Sequence, residues 1–267
     1  MAASVKPWEE ICVRSWQHFD EVVSALPENQ WVFRGHSNAA WQVNTSLYRT
    51  FEDAQPLIKP ISGHARRFAR DEHEKRLLDR FRRSAHLYLS ALPRADEHLE
   101  WFSIMQHYGA PTRLLDVTLS PHVASYFAME SGHRESAVYA FDHIALRPSG
   151  AKLLDLHEKL FSNLKGHDAF IALFRPRMTT NRLLAQQGLF LIPSNNYEDF
   201  AILLASRLRR KPICKKIVIP VSLRFLGIER LRRMGITSTA LFPGIDGFCR
   251  SLRFQILERT QLQKLLE

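Results

Sequence analysis

QHYGAPTRLLDVTLSPHVASYFA, residues 106–128, reads as a strand running straight into a helix. Leu115 and Val117 alternate with Asp116 and Thr118, the period of two expected of a strand with one buried face. Gly109 and Pro111 impose turns ahead of it. Ser120 and Pro121 then make a helix start, because the serine oxygen accepts an orphan amide proton and proline suits the first helical position. Val123, Ala124, Phe127 and Ala128 share one helical face, which predicts a core-facing side, and Gly132 suits a left-handed cap. The positive end of the helix dipole points toward Asp116, Thr118 and Ser120, where anionic groups are favoured.

Working away from this stretch, WVFRG at 31–35, AVYAFD at 137–142, GLFLIP at 188–193 and KIVIPVS at 216–222 are β-branched or aromatic runs that predict further strands. Between His64 and Leu92, apolar Leu77, Leu78, Phe81, Ala85, Tyr88 and Leu89 recur at helical spacing, which predicts one amphipathic helix stopped by Pro93. Helical stretches are expected near 153–162, 198–210 and 223–234, and TALFPGIDGF at 239–248 reads as loop or turn. No repeat or linker divides the chain, so residues 1–267 form a single domain, with a motif-bearing core over about 30–193 and a C-terminal αβ extension over about 194–267. The expected fold class is α+β, a small mixed or antiparallel sheet flanked by helices.

The 267 residues suffice for a sizeable core without cross-links. Three cysteines, Cys12, Cys214 and Cys249, are far apart and suggest neither a disulfide framework nor a zinc site. The first residues lack the apolar stretch of a secretory signal, and no later segment is long and apolar enough to cross a bilayer, so a soluble, cytoplasmic protein with no membrane partner is expected. The net charge of +10 favours phosphate-bearing partners. Eight Arg or Lys residues lie from Arg66 to Arg83 and six more from Arg207 to Lys216. Either cluster serves as a solvated helix face or as a nucleic-acid surface.

Arg34 follows three apolar residues and precedes Gly35, which places a planar fork of donors at a strand's end, matched to phosphate or carboxylate oxygens. An internal ion pair with Asp116, or a network of Arg34, Arg113 and Asp116, answers the same pattern without a ligand. His36, His107 and His122 have no metal-ligand spacing, and no metal is expected. A P-loop, a G-x-S-x-G elbow and a G-x-G-x-x-G turn are all absent, which argues against the corresponding enzyme classes. Gln186 and Gln187 stand just before an apolar strand as amides able to orient a ligand but not to act as bases.

FRGHSNAAWQVNTSLYR, HEKRLLDRFRR, QHYGAPTRLLDVTLSPHVASYFA, NRLLAQQGLF and LFPGIDG, in this order, resemble the FRG-domain family, named for the run found here as Phe33, Arg34 and Gly35. A weaker similarity joins the chain to mono-ADP-ribosyltransferases, whose Arg strand, Ser-Thr-Ser strand with its A-x-x-F helix, and E-x-E strand resemble Phe33–Gly35, Asp116–Ser120 with Ala124 and Phe127, and Gln186–Pro193. The resemblance implies an ADP-ribosyltransferase-like fold with NAD as ligand. It implies that Arg34 and Arg113 take phosphates, that Thr118 and Ser120 position a ribose, and that Gly35, His36, His107, Tyr108, Thr112 and Gln186 line the site. Gln186 or Gln187 stands where that scheme has a glutamate, which leaves Gln187 as an orienting amide and Asp116 as the carboxylate able to substitute. Three readings follow: a nucleotide-binding domain with ADP-ribosyl transfer or NAD cleavage, a basic nucleic-acid-binding or nucleolytic module of a bacterial or phage defence system, and a non-catalytic protein-interaction domain.

Overall fold

The computed structural model describes residues 7–55, 63–131, 134–147, 170–207 and 213–252, the side chains of 63–68 and 207 excepted. Its strands are β1 (Glu9–Cys12), β2 (Trp31–His36), β3 (Leu115–Thr118), β4 (Ser136–Asp142), β5 (Ile171–Phe174), β6 (Gly188–Pro193) and β7 (Cys214–Ile219). They form one 7-stranded sheet in the order β1-β7-β4-β2-β3-β6-β5. Only β1 and β7 pair parallel; every other pairing is antiparallel. The helices are α1 (Trp16–Ser24), α2 (Ser46–Ala54), α3 (Gly63–Ala85), α4 (His98–His107), α5 (Pro121–Met129), α6 (His143–Leu146), α7 (Asn181–Ala185), α8 (Phe200–Arg207), α9 (Arg224–Arg233), α10 (Ser238–Leu241) and α11 (245–252). The architecture is α+β, as the sequence predicts, and no helix among the described residues is long and apolar enough to cross a membrane.

Strand alternation sorts the core into layers. Phe33, Val138, Ala140 and Ile217 face α1, α5 and α9 in one cluster, while Val32, Ala137, Tyr139 and Phe141 face α8 in another on the opposite side. A third cluster packs Leu78 of α3 and Trp101, Phe102 and Met105 of α4 against Phe174, Phe190 and Ile192. Ser120 caps α5 by accepting from the Val123 amide at 3.2 Å, and Pro121 opens the helix, as the sequence signature requires.

The sequence reading is corrected at several places. β1 and β5 escape it because neither alternates: β1 (EEIC) is largely exposed and β5 (IALF) is apolar throughout. Helix α3 stops at Ala85, where Leu87 and Tyr88 amides bond back three residues and tighten the turn. Tyr88, counted on its apolar face, is 82% exposed. Residues 239–248 are not a plain loop: Thr237 caps α10, accepting from the Ala240 amide at 3.2 Å, and a second helix begins at 245. The strand expected at 216–222 starts earlier, at Cys214, and stops at Ile219, after which Pro220 carries no amide to extend the ladder. The helix expected at 153–162 lies outside the described residues.

Candidate functional site

The sheet is joined only narrowly at its centre. β2 pairs with β4 along its whole length, Trp31 to His36, and β3 pairs with β6 at all four positions. Between β2 and β3 the register contains one pair, Phe33 with Thr118. Beyond it the strands diverge and leave a cleft of about 940 Å³. Arg34 does not end its strand but sits inside β2 with its side chain in this opening. Its Nη1 donates to the Asp116 carbonyl at 2.7 Å and lies 3.6 Å from Asp116 Oδ2.

His36, two residues on and therefore on the same face, holds the other edge of the guanidinium. Its Nε2 accepts from Arg34 Nε at 3.1 Å, which requires the neutral tautomer protonated at Nδ1. Burial, reinforced by the charges of Arg34, Arg49 and Lys216 against a weaker pull from the Trp41 backbone, pushes the His36 pKa down to about 3. Burial also pushes Arg34 below its ordinary value, with Asp116 opposing and Arg49 assisting. A guanidinium remains charged nonetheless. Among the described residues no hydrogen bond from Arg34 Nη2 is formed, so this cation is fixed in place with donors to spare.

Asp116 is the counterpart. Its side chain is 57% exposed, and Oδ2 accepts from Gln106 Nε2 at 2.8 Å. Gln106 is oriented in turn by Thr112, whose Oγ1 donates to Oε1 at 2.7 Å, with Ser46 Oγ at 3.3 Å. Thr112 is fully buried, so its part is to set Gln106 and not to touch a ligand. Asp116 also lines a smaller chamber of about 200 Å³ that holds His107, Tyr108, Thr180 and Phe190. Gln106, Asp116, Arg182, Leu183 and Gln186 line both spaces, so the two chambers meet at Asp116. Burial and the charge of Arg182 push the His107 pKa below its ordinary value.

Arg113 does not face Asp116. It is 3% exposed and forks onto Glu74 of α3, with Nε to Oε1 at 2.6 Å and Nη2 to Oε2. Arg113 lies in the turn before β3, outside the strand that carries Asp116, and a buried Glu74 needs a cation beside it. Thr118 donates to the Gln186 carbonyl at 2.7 Å, Ser120 is occupied as the α5 cap, and Gln186 Nε2 donates to the Leu241 carbonyl at 3.0 Å. Gln187 takes φ 48, is exposed and lines neither chamber. Gly35 lies under α5: a Cβ there would stand 2.0 Å from the Ala124 carbonyl oxygen.

The structure adds residues that sequence reasoning did not single out. Arg49, Arg182 and Trp41 line the larger space, and Gln106 props Asp116. All four lie within the motif stretches, yet no periodicity separates them from surface residues. The lining thus carries three guanidiniums, Arg34, Arg49 and Arg182, and Asp116 is the single carboxylate among the described residues that line either chamber. Such an arrangement suits a polyanionic ligand with a reacting centre near a carboxylate.

No curated protein and no solved structure matches the chain significantly. Residues 29–137, from the approach to β2 into the start of β4 and with the Phe33-Arg34-Gly35 strand among them, match the FRG domain.

Proposed function

We propose that the cleft between β2 and β3 binds a nucleotide of the NAD class and that Asp116 is the carboxylate acting on it, in ADP-ribosyl transfer or NAD cleavage. The observation that carries this reading is Arg34, held by His36 and by the Asp116 carbonyl in a gap of the sheet, with Nη2 left for a phosphate oxygen. The weak resemblance to mono-ADP-ribosyltransferases adds support: its three motif strands correspond to β2, β3 and β6, which are neighbours in this sheet. In such chemistry the bond from ribose to nicotinamide breaks, nicotinamide departs, and water or another nucleophile adds to the ribose carbon with loss of a proton. The carbon is positively charged on the way, and a fixed carboxylate stabilises it. Gln106 keeps Asp116 oriented for that task.

Calorimetric titration of NAD into wild type, Arg34→Ala and Asp116→Asn tests the reading, with chromatography of each mixture for free nicotinamide. Wild type is expected to bind and to release nicotinamide. Arg34→Ala should lose at least about tenfold in affinity while melting as wild type does, on the scale of a charge-assisted bidentate contact. Asp116→Asn should bind and release nothing. Absence of binding by wild type at millimolar NAD overturns the proposal.

A second reading places nucleic acid on α3. Arg76, Arg80 and Arg83 are exposed at i, i+4 and i+7, one helical face turned to solvent and separate from the cleft lining. A stripe of this kind neutralises phosphates whatever the sequence they carry.

A further inference from the structure

We infer that the end of the cleft walled by Trp41 is a nucleobase subsite, which gives the ligand a direction: base on the indole, phosphates between Arg34 and Arg49, far sugar at Asp116. The inference rests on the nucleotide reading of the cleft and adds to it which group binds where.

Trp16, Trp31 and Trp101 are buried in the core, whereas Trp41 is 56% exposed and lines the larger chamber. An indole left uncovered in a cationic cleft offers a flat π surface, and every nucleobase has a π face to lay on it. The segment that carries it is braced along its length. The Ala39 amide donates to the Glu135 carbonyl at 2.8 Å, the Trp41 amide to the Asn38 carbonyl at 3.1 Å, and the Ala40 amide to Asn38 Oδ1 at 2.9 Å. Asn44 ties the far end to α8, with Nδ2 to Asp199 Oδ2 at 2.8 Å and Oδ1 accepting from the Phe200 amide at 2.9 Å. Behind the indole, His36 makes a T-shaped contact with centroids 6.4 Å apart, and His36 packs on Tyr139 in the same manner at 5.2 Å. A platform fixed in this way loses little freedom when a base stacks on it.

The direction follows from what each chamber contains. Trp41 lines the larger chamber alone, whereas Asp116 lines both and marks their junction. Arg49 is close enough for its charge to act on Arg34, so the two guanidiniums form one phosphate-attracting zone. Gln42, exposed beside Trp41, supplies an amide with both a donor and an acceptor for a base edge. A base on Trp41 with phosphates on the arginines sends the remaining sugar toward Asp116 and the smaller chamber.

The test uses the full chain and two probes, ADP-ribose and inorganic pyrophosphate, titrated into wild type, Trp41→Ala, Trp41→Phe and Arg34→Ala, each checked by circular dichroism melting. Wild type should prefer ADP-ribose. Trp41→Ala should bind ADP-ribose on the order of tenfold more weakly and pyrophosphate as before, Trp41→Phe should recover most of the loss, and Arg34→Ala should weaken both probes. Equal affinity of wild type for the two probes, or ADP-ribose binding unchanged in Trp41→Ala, overturns the nucleobase subsite. If Arg34→Ala weakens binding while Trp41→Ala does not, only this inference falls. If wild type binds neither ADP-ribose nor NAD, the nucleotide reading falls with it.

Discussion

In Phe33-Arg34-Gly35 each residue has a different task, set by strand parity. Phe33 and Gly35 face α5, where Phe33 is buried in the core and Gly35 admits the helix backbone; Arg34 turns to the cleft. A Cβ on Gly35 would also stand 2.6 Å from the Ala128 amide nitrogen, and neither contact is a flexible side chain that can move aside. Gly35→Ala is therefore expected to cost about 3 kcal/mol or more, measured by denaturant unfolding; a loss below ~1 kcal/mol would show that α5 can shift. His36 makes a second prediction. Its pKa is about 3 in the fold against an ordinary histidine value near 6.5, so between those limits the unfolded chain takes up a proton that the fold refuses. Its contribution is intact above pH ~6.5 and falls away as the medium is acidified toward 3, by roughly 5 kcal/mol at most. Melting curves from pH 7 to 4 should show a shallower acid loss in His36→Gln than in wild type, and parallel slopes would refute the buried neutral imidazole.

The turn that feeds β3 is anchored to α3 by a buried ion pair, and this settles what Arg113 does. Arg113 and Glu74 are each about fully buried, and Asn196 Nδ2 donates to Glu74 Oε2 at 3.1 Å. Removing one member leaves an uncompensated buried charge, which commonly costs about 3–5 kcal/mol. Arg113→Ala is thus expected to lose most of a modest stability in a thermal melt, whereas Arg34→Ala, whose carboxylate partner Asp116 is 57% exposed, keeps the fold. The reverse result would exchange the two arginines between structure and site. The apolar run of α3 shows the limit of reading an element alone. Leu78 and Ala85 reach the third core cluster and Leu89 packs beside it, whereas Tyr88, counted at the same spacing, lies in the turn after the helix and stays in solvent.

Among the described residues, cations gather in the cleft, on the outer face of α3 and in the last turn of α9. If the α3 face takes nucleic acid, duplex affinity should fall with a log-log salt slope near −0.9 per phosphate contact, and Arg76→Glu with Arg80→Glu should flatten the slope. Flat salt dependence in wild type would reject the second reading, and nucleotide binding in the cleft should be untouched by the double variant. Alternation and capping signals, all local, sufficed to place β2, β3, β4, β6, β7 and α5 and to single out Arg34 and Asp116, which the structure brings together. The gap between β2 and β3 depends instead on two strands more than 80 positions apart, whose register is fixed by packing on the two faces of the sheet. For the same reason Arg49, Arg182, Trp41 and Gln106 come to line one cleft with Asp116, and Arg113 leaves it for Glu74, only once the layers are assembled. The sequence determined which segments are strands or helices and which side of each is apolar, because those are short-range effects of sterics and burial. Tertiary structure alone decided which polar groups share a cleft, because burial forces each charge to a partner that the chain brings from far away.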